Sequence, residues 1–108
     1  MQRIMLKSKI YGIKVLEADL ACDGSITIDK RILDDAGIEE YEQVHVLDIT
    51  NAKRFITYAI LGAPGELKVN GAAAKLVEIG DALIVLAYGI MDELENAHPK
   101  KVDGRNYK

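Results

Sequence analysis

Asp23-Gly24-Ser25-Ile26-Thr27-Ile28-Asp29 sets a turn dipeptide directly before a strictly alternating run. Asp-Gly beside alternating apolar residues is a strong hairpin signal, because Gly accepts the positive φ that a tight reversal needs. The expectation is a hairpin turning at Asp23-Gly24, with residues 25–28 in its second arm. Upstream, apolar side chains fall at Ile13 and Val15, then at Leu16, Ala18 and Leu20. That change of phase predicts one or two strands over residues 10–20 with a bulge near Val15 and Leu16. Downstream, Asp29 can cap a short helix through Ala36, and Gly37 ends it. Strands are expected at 44–49, 54–61 and 67–70, and a second short helix opens at Gly71. Residues 82–88 are apolar almost without a break, which predicts burial on both faces. Residues 98–108 either add an edge strand or fray. The expectation is thus a mainly β fold of six or seven short strands with two short helices. A faint echo between residues 42–46 and 80–85 hints at two related halves. Closure into a barrel would remove exposed strand edges.

The 108 residues fit one domain, 1–108. Hydrophobic residues make up 49% while aromatics are only 6% and Trp is absent, so the core must come from Ile, Val, Leu and Ala. Many of these are β-branched, which again favours strands. The net charge of −3 disfavours nucleic acid as a partner. Arg3, Lys7, Lys9 and Lys14 nevertheless all precede the first acid, Glu17. That basic start reads as a solvated strand face or as a surface for a small anionic substrate. Cys22 stands alone, so no intrachain disulfide can form. The N-terminus lacks the apolar stretch of a signal peptide, and no apolar run reaches membrane-spanning length. The cytoplasm is the default expectation, with no membrane partner.

The usual catalytic groupings are missing. His45 and His98 are far apart and no Cys/His cluster has metal spacing, so no metal is expected. No phosphate loop and no Gly-x-Ser-x-Gly occurs. Cys22 has no evident base beside it. Arg54 and Tyr58 lie four residues apart, which puts both on one face of a strand, and Thr57 on the other. Gly71, Ala72 and Ala73 open a predicted helix, where free N–H groups favour an anion. Asp23-Gly24-Ser25, taken alone, is a turn.

Taken together the segments say more. Met5-Leu6-Lys7-Ser8-Lys9-Ile10 is followed by Ala18-Asp19-Leu20 and Gly24-Ser25-Ile26-Thr27-Ile28-Asp29. Then come Asn51 with Lys53-Arg54-Phe55, Thr57-Tyr58-Ala59-Ile60, Asn70-Gly71-Ala72-Ala73-Ala74, and Gly80-Asp81 before the strand that ends at Met91. In this order and spacing the chain resembles the pyruvoyl-dependent aspartate 1-decarboxylases over nearly its whole length. The resemblance implies a double-psi β-barrel and a homotetramer with active sites between neighbouring subunits. It implies autocatalytic cleavage between Gly24 and Ser25, giving residues 1–24 and 25–108, with Ser25 becoming a covalent pyruvoyl cofactor. The substrate so implied is L-aspartate, decarboxylated to β-alanine and CO2 for pantothenate and coenzyme A synthesis.

Roles follow by position. Ser25 would carry the Schiff base and Tyr58 would donate the proton. Lys9, Arg54, Thr57, Gly71, Ala72 and Ala73 would bind substrate, and Gly24, Ser25, Thr57 and Asn70 would serve processing. The chemistry is consistent with such a turn: a strained Gly24 with positive φ can present the Ser25 hydroxyl to the Gly24 carbonyl carbon. Attack develops an oxyanion, for which Thr57 is the implied donor. The sequence departs from the family at Ala21 and Cys22, where His and Tyr are common, and at Tyr11, where His is common. Two other readings stand beside this one: a noncatalytic β-barrel or swapped-hairpin binding module, and a pyruvoyl enzyme for another small acidic amino acid.

Overall fold

The computed structural model describes residues 1–21, 23–92 and 97–108. In chain order the elements are β1 (Gln2–Lys14), β2 (Glu17–Asp19), β3 (Ser25–Asp29), α1 (Lys30–Ala36), β4 (Gln43–Asp48) and β5 (Arg54–Gly62). There follow β6 (Leu67–Asn70), a 3₁₀ turn (Gly71–Leu76), β7 (Ala82–Asp92), β8 (Lys100–Asp103) and a second 3₁₀ turn (Gly104–Asn106). The fold is mainly β, as expected, but the described residues form eight strands rather than six or seven. β1 and β7 are long, at 13 and 11 residues, because they pair with each other almost from end to end. Bulges between Leu6 and Ser8 and between Ile10 and Ile13 keep that ladder in phase. Only one of the two expected helices is α-helical; Gly71–Leu76 is 3₁₀.

The strands form one sheet in the order β2-β6-β3-β5-β4-β7-β1-β8. This corrects the hairpin expected at Asp23-Gly24. β2 and β3 are consecutive in sequence but not paired, because β6 lies between them, parallel to β2 and antiparallel to β3. The chain between Asp19 and Ser25 therefore does not make a two-residue reversal. The phase change at Val15 and Leu16 is where β1 gives way to β2. There the chain leaves one end of the sheet for the other: Val15 N donates to Asp81 O at 2.9 Å, and Leu16 N donates to Leu67 O at 3.1 Å. The sheet must curl for one continuous segment to serve both places.

The concave side of that curl is the core. Ile10, Ile26, Ile28, Val44, Val46, Val69 and Val85 are fully buried there, each worth roughly 1.5–3 kcal/mol against exposure. Ile32, Leu33 and Ala36 of α1 close one end. β7 does not have two buried faces. Leu83, Val85 and Ala87 point inward, while Ile84, Leu86 and Tyr88 stay half-buried on the outside. β7 is antiparallel to both neighbours, so one face packs on the core and the other coats the molecule. Its unbroken apolar run records an apolar outer surface. Residues 100–103 do form the edge strand β8, parallel to β1 with Val102 buried.

The short helix forms where its capping residues predicted. Gly37 closes it in the left-handed conformation, φ +68°, returning its N–H to Leu33 O and Asp34 O. Asp29 caps its start and does more. Its buried carboxylate accepts from Arg31 N at 2.9 Å, from Arg31 Nη2 at 2.6 Å and from Gly65 N at 2.8 Å. Arg31 also stands over the Tyr107 ring, 5.7 Å from its centroid, and the Tyr107 hydroxyl donates to Asp35. That bond pushes the Tyr107 phenol up to about 12. One carboxylate thus joins β3, α1 and the 62–66 loop, and through Arg31 the C-terminal segment.

The Arg31 guanidinium holds the Asp29 carboxyl well below its ordinary value, at about 2. A depressed acid stabilises the fold above its ordinary value, and that contribution is lost as pH falls through the lowered one. Asp29→Asn is therefore expected to cost roughly 1–2 kcal/mol at neutral pH, allowing for screening at the half-exposed Arg31. It should also flatten the loss of thermal stability between about pH 4 and pH 2. Calorimetry across that range checks both.

Candidate active site

Ser25 opens β3 directly opposite Asn70, the last residue of β6. The Asn70 amide nitrogen donates to Ser25 Oγ at 2.9 Å and to Thr27 Oγ1 at 3.2 Å. All three side chains are buried. Asn70 also occupies the cap position of the Gly71–Leu76 turn, yet its side chain makes no capping bond. Its amide is committed to Ser25 instead. Asn70 Oδ1 is buried with no hydrogen-bond partner, an arrangement that costs about 1–3 kcal/mol. Thr27 is the member that sequence reading missed. Its signal was the row Ser25, Thr27, Asp29: three polar residues on one side of a strand whose every residue is buried.

Gly71 fixes the residue before Ser25. It sits at φ +73°, and a Cβ there would lie 2.6 Å from Gly24 Cα and 2.7 Å from Gly24 N. Only glycine fits, and the fit holds the Gly24 backbone against the end of β6. This corrects the strain expected at Gly24, which does not lie in the left-handed region. The left-handed residue is the one where β6 breaks into the 3₁₀ turn, and Gly24 is what it presses on. Ala72 is exposed and Ala73 half-buried just beyond it.

β5 supplies the third wall. Ile26 pairs with Ala59 in a parallel ladder. Continuing that register back by one and two residues sets Tyr58 level with Ser25 and Thr57 level with Gly24. Ile26, Ala59 and Val69 face the core, so Ser25, Tyr58 and Asn70 share the outer side. Arg54 shares that side too and is exposed, as the four-residue spacing predicted. Thr57 lies on the inward side with Phe55 and Ala59. The sequence left its partnership open; the register aligns it with Gly24, apart from Tyr58.

Two of the expected residues are not brought to Ser25 within one chain. Arg54 is four residues from Tyr58, roughly 13 Å along the strand at about 3.3 Å per residue. Lys9 lies on β1, four strands from β3, roughly 19 Å along the sheet at about 4.8 Å per strand. It belongs to an outer row of Lys9, Leu86, His45 and Ile56. His45 in that row packs edge-on against Tyr88, with ring centroids 4.9 Å apart. Cys22 lies outside the described residues.

A family model described as aspartate decarboxylase matches residues 1–106. The chain belongs to the aspartate decarboxylase family. Among its relatives, the aspartate 1-decarboxylase of Thermoanaerobacter pseudethanolicus is 48% identical over 106 residues, covering 94% of this chain and 91% of that protein. The aspartate 1-decarboxylase of Bordetella avium is 46% identical over 105 residues, 94% of this chain and 86% of the relative. That of Mycolicibacterium smegmatis is 48% identical over 99 residues, 90% and 73% respectively. The resemblance read from the sequence is borne out. In this aspartate decarboxylase family member, Ser25, Asn70, Gly24 and Gly71 form one contact group built from the ends of β3 and β6.

Gly71→Ala tests that group directly. The left-handed backbone costs an alanine about 1–2 kcal/mol, and the overlap with Gly24 forces the two segments apart. The variant is expected to melt at lower temperature, seen by calorimetry.

Proposed function

We propose that this chain cuts itself between Gly24 and Ser25 and, so matured, decarboxylates L-aspartate to β-alanine and CO2. The observation that carries this is the Asn70 amide held 2.9 Å from Ser25 Oγ while Gly71 presses on Gly24. Asn70 donates to Oγ, so a remaining lone pair of that oxygen is free for the Gly24 carbonyl carbon. Attack moves the Gly24 acyl group from the Ser25 nitrogen to its oxygen, giving an ester. Thr57, level with Gly24, is placed to stabilise the oxyanion that forms. Elimination then releases the carboxylate of Gly24 and leaves dehydroalanine. Hydrolysis of that residue releases ammonia and leaves a pyruvoyl group at position 25. The residues fit the group: the side of β3 that would hold it is polar, buried and supplied with an amide donor, and a glycine opposite leaves room.

The pyruvoyl ketone supplies an electron sink for an amino acid held through its amine. Tyr58, level with Ser25, is in place to return a proton on the outer side. Arg54 presents a planar fork suited to a carboxylate, and Lys9 a second cation. The small residues Gly71, Ala72 and Ala73 let a substrate approach backbone N–H groups that Asn70 leaves uncapped. Arg54 and Lys9 are too far from Ser25 in their own chain, so they act on the Ser25 of a neighbour. The exposed apolar residues Ile4 (75%), Ile56 (58%) and Ile90 (69%) on the outer face support such an assembly. We assign it as a homotetramer. The strand β6 between β2 and β3, with a sheet curled so that β1 runs straight into β2, supports a double-psi barrel. The role fits pantothenate synthesis in the cytoplasm.

Mass spectrometry of the purified protein is expected to give chains of residues 1–24 and 25–108, the larger carrying a carbonyl at its N-terminus. Ser25→Ala should remain one chain and form no β-alanine from L-aspartate; normal turnover by that variant would refute the assignment. Arg54→Ala should raise KM for L-aspartate by about tenfold or more, the worth of a charged hydrogen bond. Co-assembled Ser25→Ala and Arg54→Ala subunits should regain part of the activity that each lacks alone. No recovery would return Arg54 to its own chain's site.

A further inference from the structure

Asp48 and Asp81 form a second buried polar group away from Ser25. Asp48 ends β4 and is 1% exposed, and Asp81 precedes β7 and is also buried. Asp48 Oδ1 accepts from Thr50 N at 2.8 Å and Asn51 N at 3.3 Å. Its Oδ2 is buried and meets no donor. Asp48 pairs with Leu83 across the β4–β7 ladder, which sets Asp81, two residues before Leu83, on the same side as Asp48, and the two carboxyl groups interact. Asp81 in turn accepts from Glu78 N at 3.0 Å. Two neighbouring buried carboxylates are both acceptors, so they hydrogen-bond to each other only if a proton lies between them.

We propose that Asp48 and Asp81 share one proton, Asp48 Oδ2 donating to Asp81, and that the pair positions Arg54 for substrate. The turn from Asp48 to Lys53 leads straight into Arg54, and the pair is what fastens it. Asp48 N donates to Lys53 O at 2.8 Å across the turn, and Ile49 N donates to Ala82 O at 2.9 Å beside Asp81. Ala52 within it holds φ +62°, which costs a non-glycine about 1–2 kcal/mol and needs external restraint. Asn51 Nδ2 reaches Leu76 O at 2.8 Å, so the same turn is tied to the end of the Gly71–Leu76 segment. The backbone of Asp81 accepts from Val15 N where β1 becomes β2.

The other charged groups on the packed elements are Lys14, opposite Ala82 on β1, Lys53 in the turn and Glu78 in the loop. All three are exposed, and among the described residues none is ion-paired to either aspartate. Burial, and then the Asp81 carboxylate, push the Asp48 carboxyl up from its ordinary value. The hydrogen bond from Asp48, and then the Glu78 N–H, bring Asp81 down. The signs differ. The Asp48 contribution is present at low pH and lost as pH rises through its raised value; the Asp81 contribution is lost on acidification. Alkaline weakening therefore belongs to Asp48.

The positioning role rests on the reading of Arg54 given above; the shared proton does not. Carbon-13 NMR of labelled aspartate carboxyls in the processed enzyme is expected to show Asp48 titrating above the ordinary range and Asp81 below it. Asp48 titrating with the exposed aspartates would overturn the shared proton. In kinetics, KM for L-aspartate should rise by about threefold or more across the Asp48 titration while kcat holds. Asp48→Asn, whose amide can donate permanently, should keep the low KM and lose the pH dependence. Asp48→Ala should show the raised KM at every pH. Asp81→Asn should bring the Asp48 titration back down, because its amide would donate to an ionised Asp48. An unchanged alkaline rise of KM in Asp48→Asn would overturn the positioning role. Failure of the Arg54 reading would show separately, as an Arg54→Ala enzyme with unchanged KM, and would remove that role while leaving the NMR result standing.

Discussion

Asn70 has one amide group and spends it on Ser25 Oγ and Thr27 Oγ1. For that to happen the end of β6 must lie beside the start of β3, and the residue after Asn70 must be able to turn away at once. Gly71 makes the turn at φ +73° and, lacking a Cβ, lets the Gly24 backbone settle against it. The hydroxyl and the peptide it would attack are therefore positioned by adjacent residues of one strand end. Neither contact is strong alone; a net hydrogen bond of this kind contributes about 1 kcal/mol. Their value is geometric. They act on two consecutive residues, Gly24 and Ser25, from the end of one strand.

The larger topology serves the same contacts. A hairpin at Asp23-Gly24 would have paired β2 with β3 and left Asn70 elsewhere. Placing β6 between them brings Asn70 to Ser25 and Gly71 to Gly24. Continued back from Ile26↔Ala59, the parallel β3–β5 ladder sets Thr57 level with Gly24 and Tyr58 level with Ser25, on opposite strand faces.

Much of this was legible in the sequence, for reasons that can be named. The helix after Asp29 was readable because its cap and its glycine stop act locally. The strands at 54–61 and 67–70 were readable because their turns are marked by Gly, Pro, Asn and Asp. The Arg54–Tyr58 pairing on one face followed from the period of two. What failed was non-local. Asp-Gly predicts a reversal only if the flanking runs pair with each other, and here β6 had claimed the place. The apolar run at 82–88 could not distinguish a strand buried on both faces from one whose outer face is merely apolar. The long β1 was hidden because its lysines dilute the alternation that its pairing with β7 makes plain. Of the site, family resemblance named Ser25, Asn70 and Gly71, but only the fold showed that Gly71 holds the positive φ expected of Gly24.

The weaving of β1 bears on what a broken backbone means for this molecule. A cut between Gly24 and Ser25 leaves a 24-residue peptide whose first strand is hydrogen-bonded to β7 on one edge and β8 on the other, and whose second strand lies on β6 at the far end of the sheet. Ile10, Ile13 and Val15 of that peptide are sealed inside the core. Severing the backbone there would free two chain ends without freeing either piece. The small fragment would stay as a stave held by β7, β8 and β6.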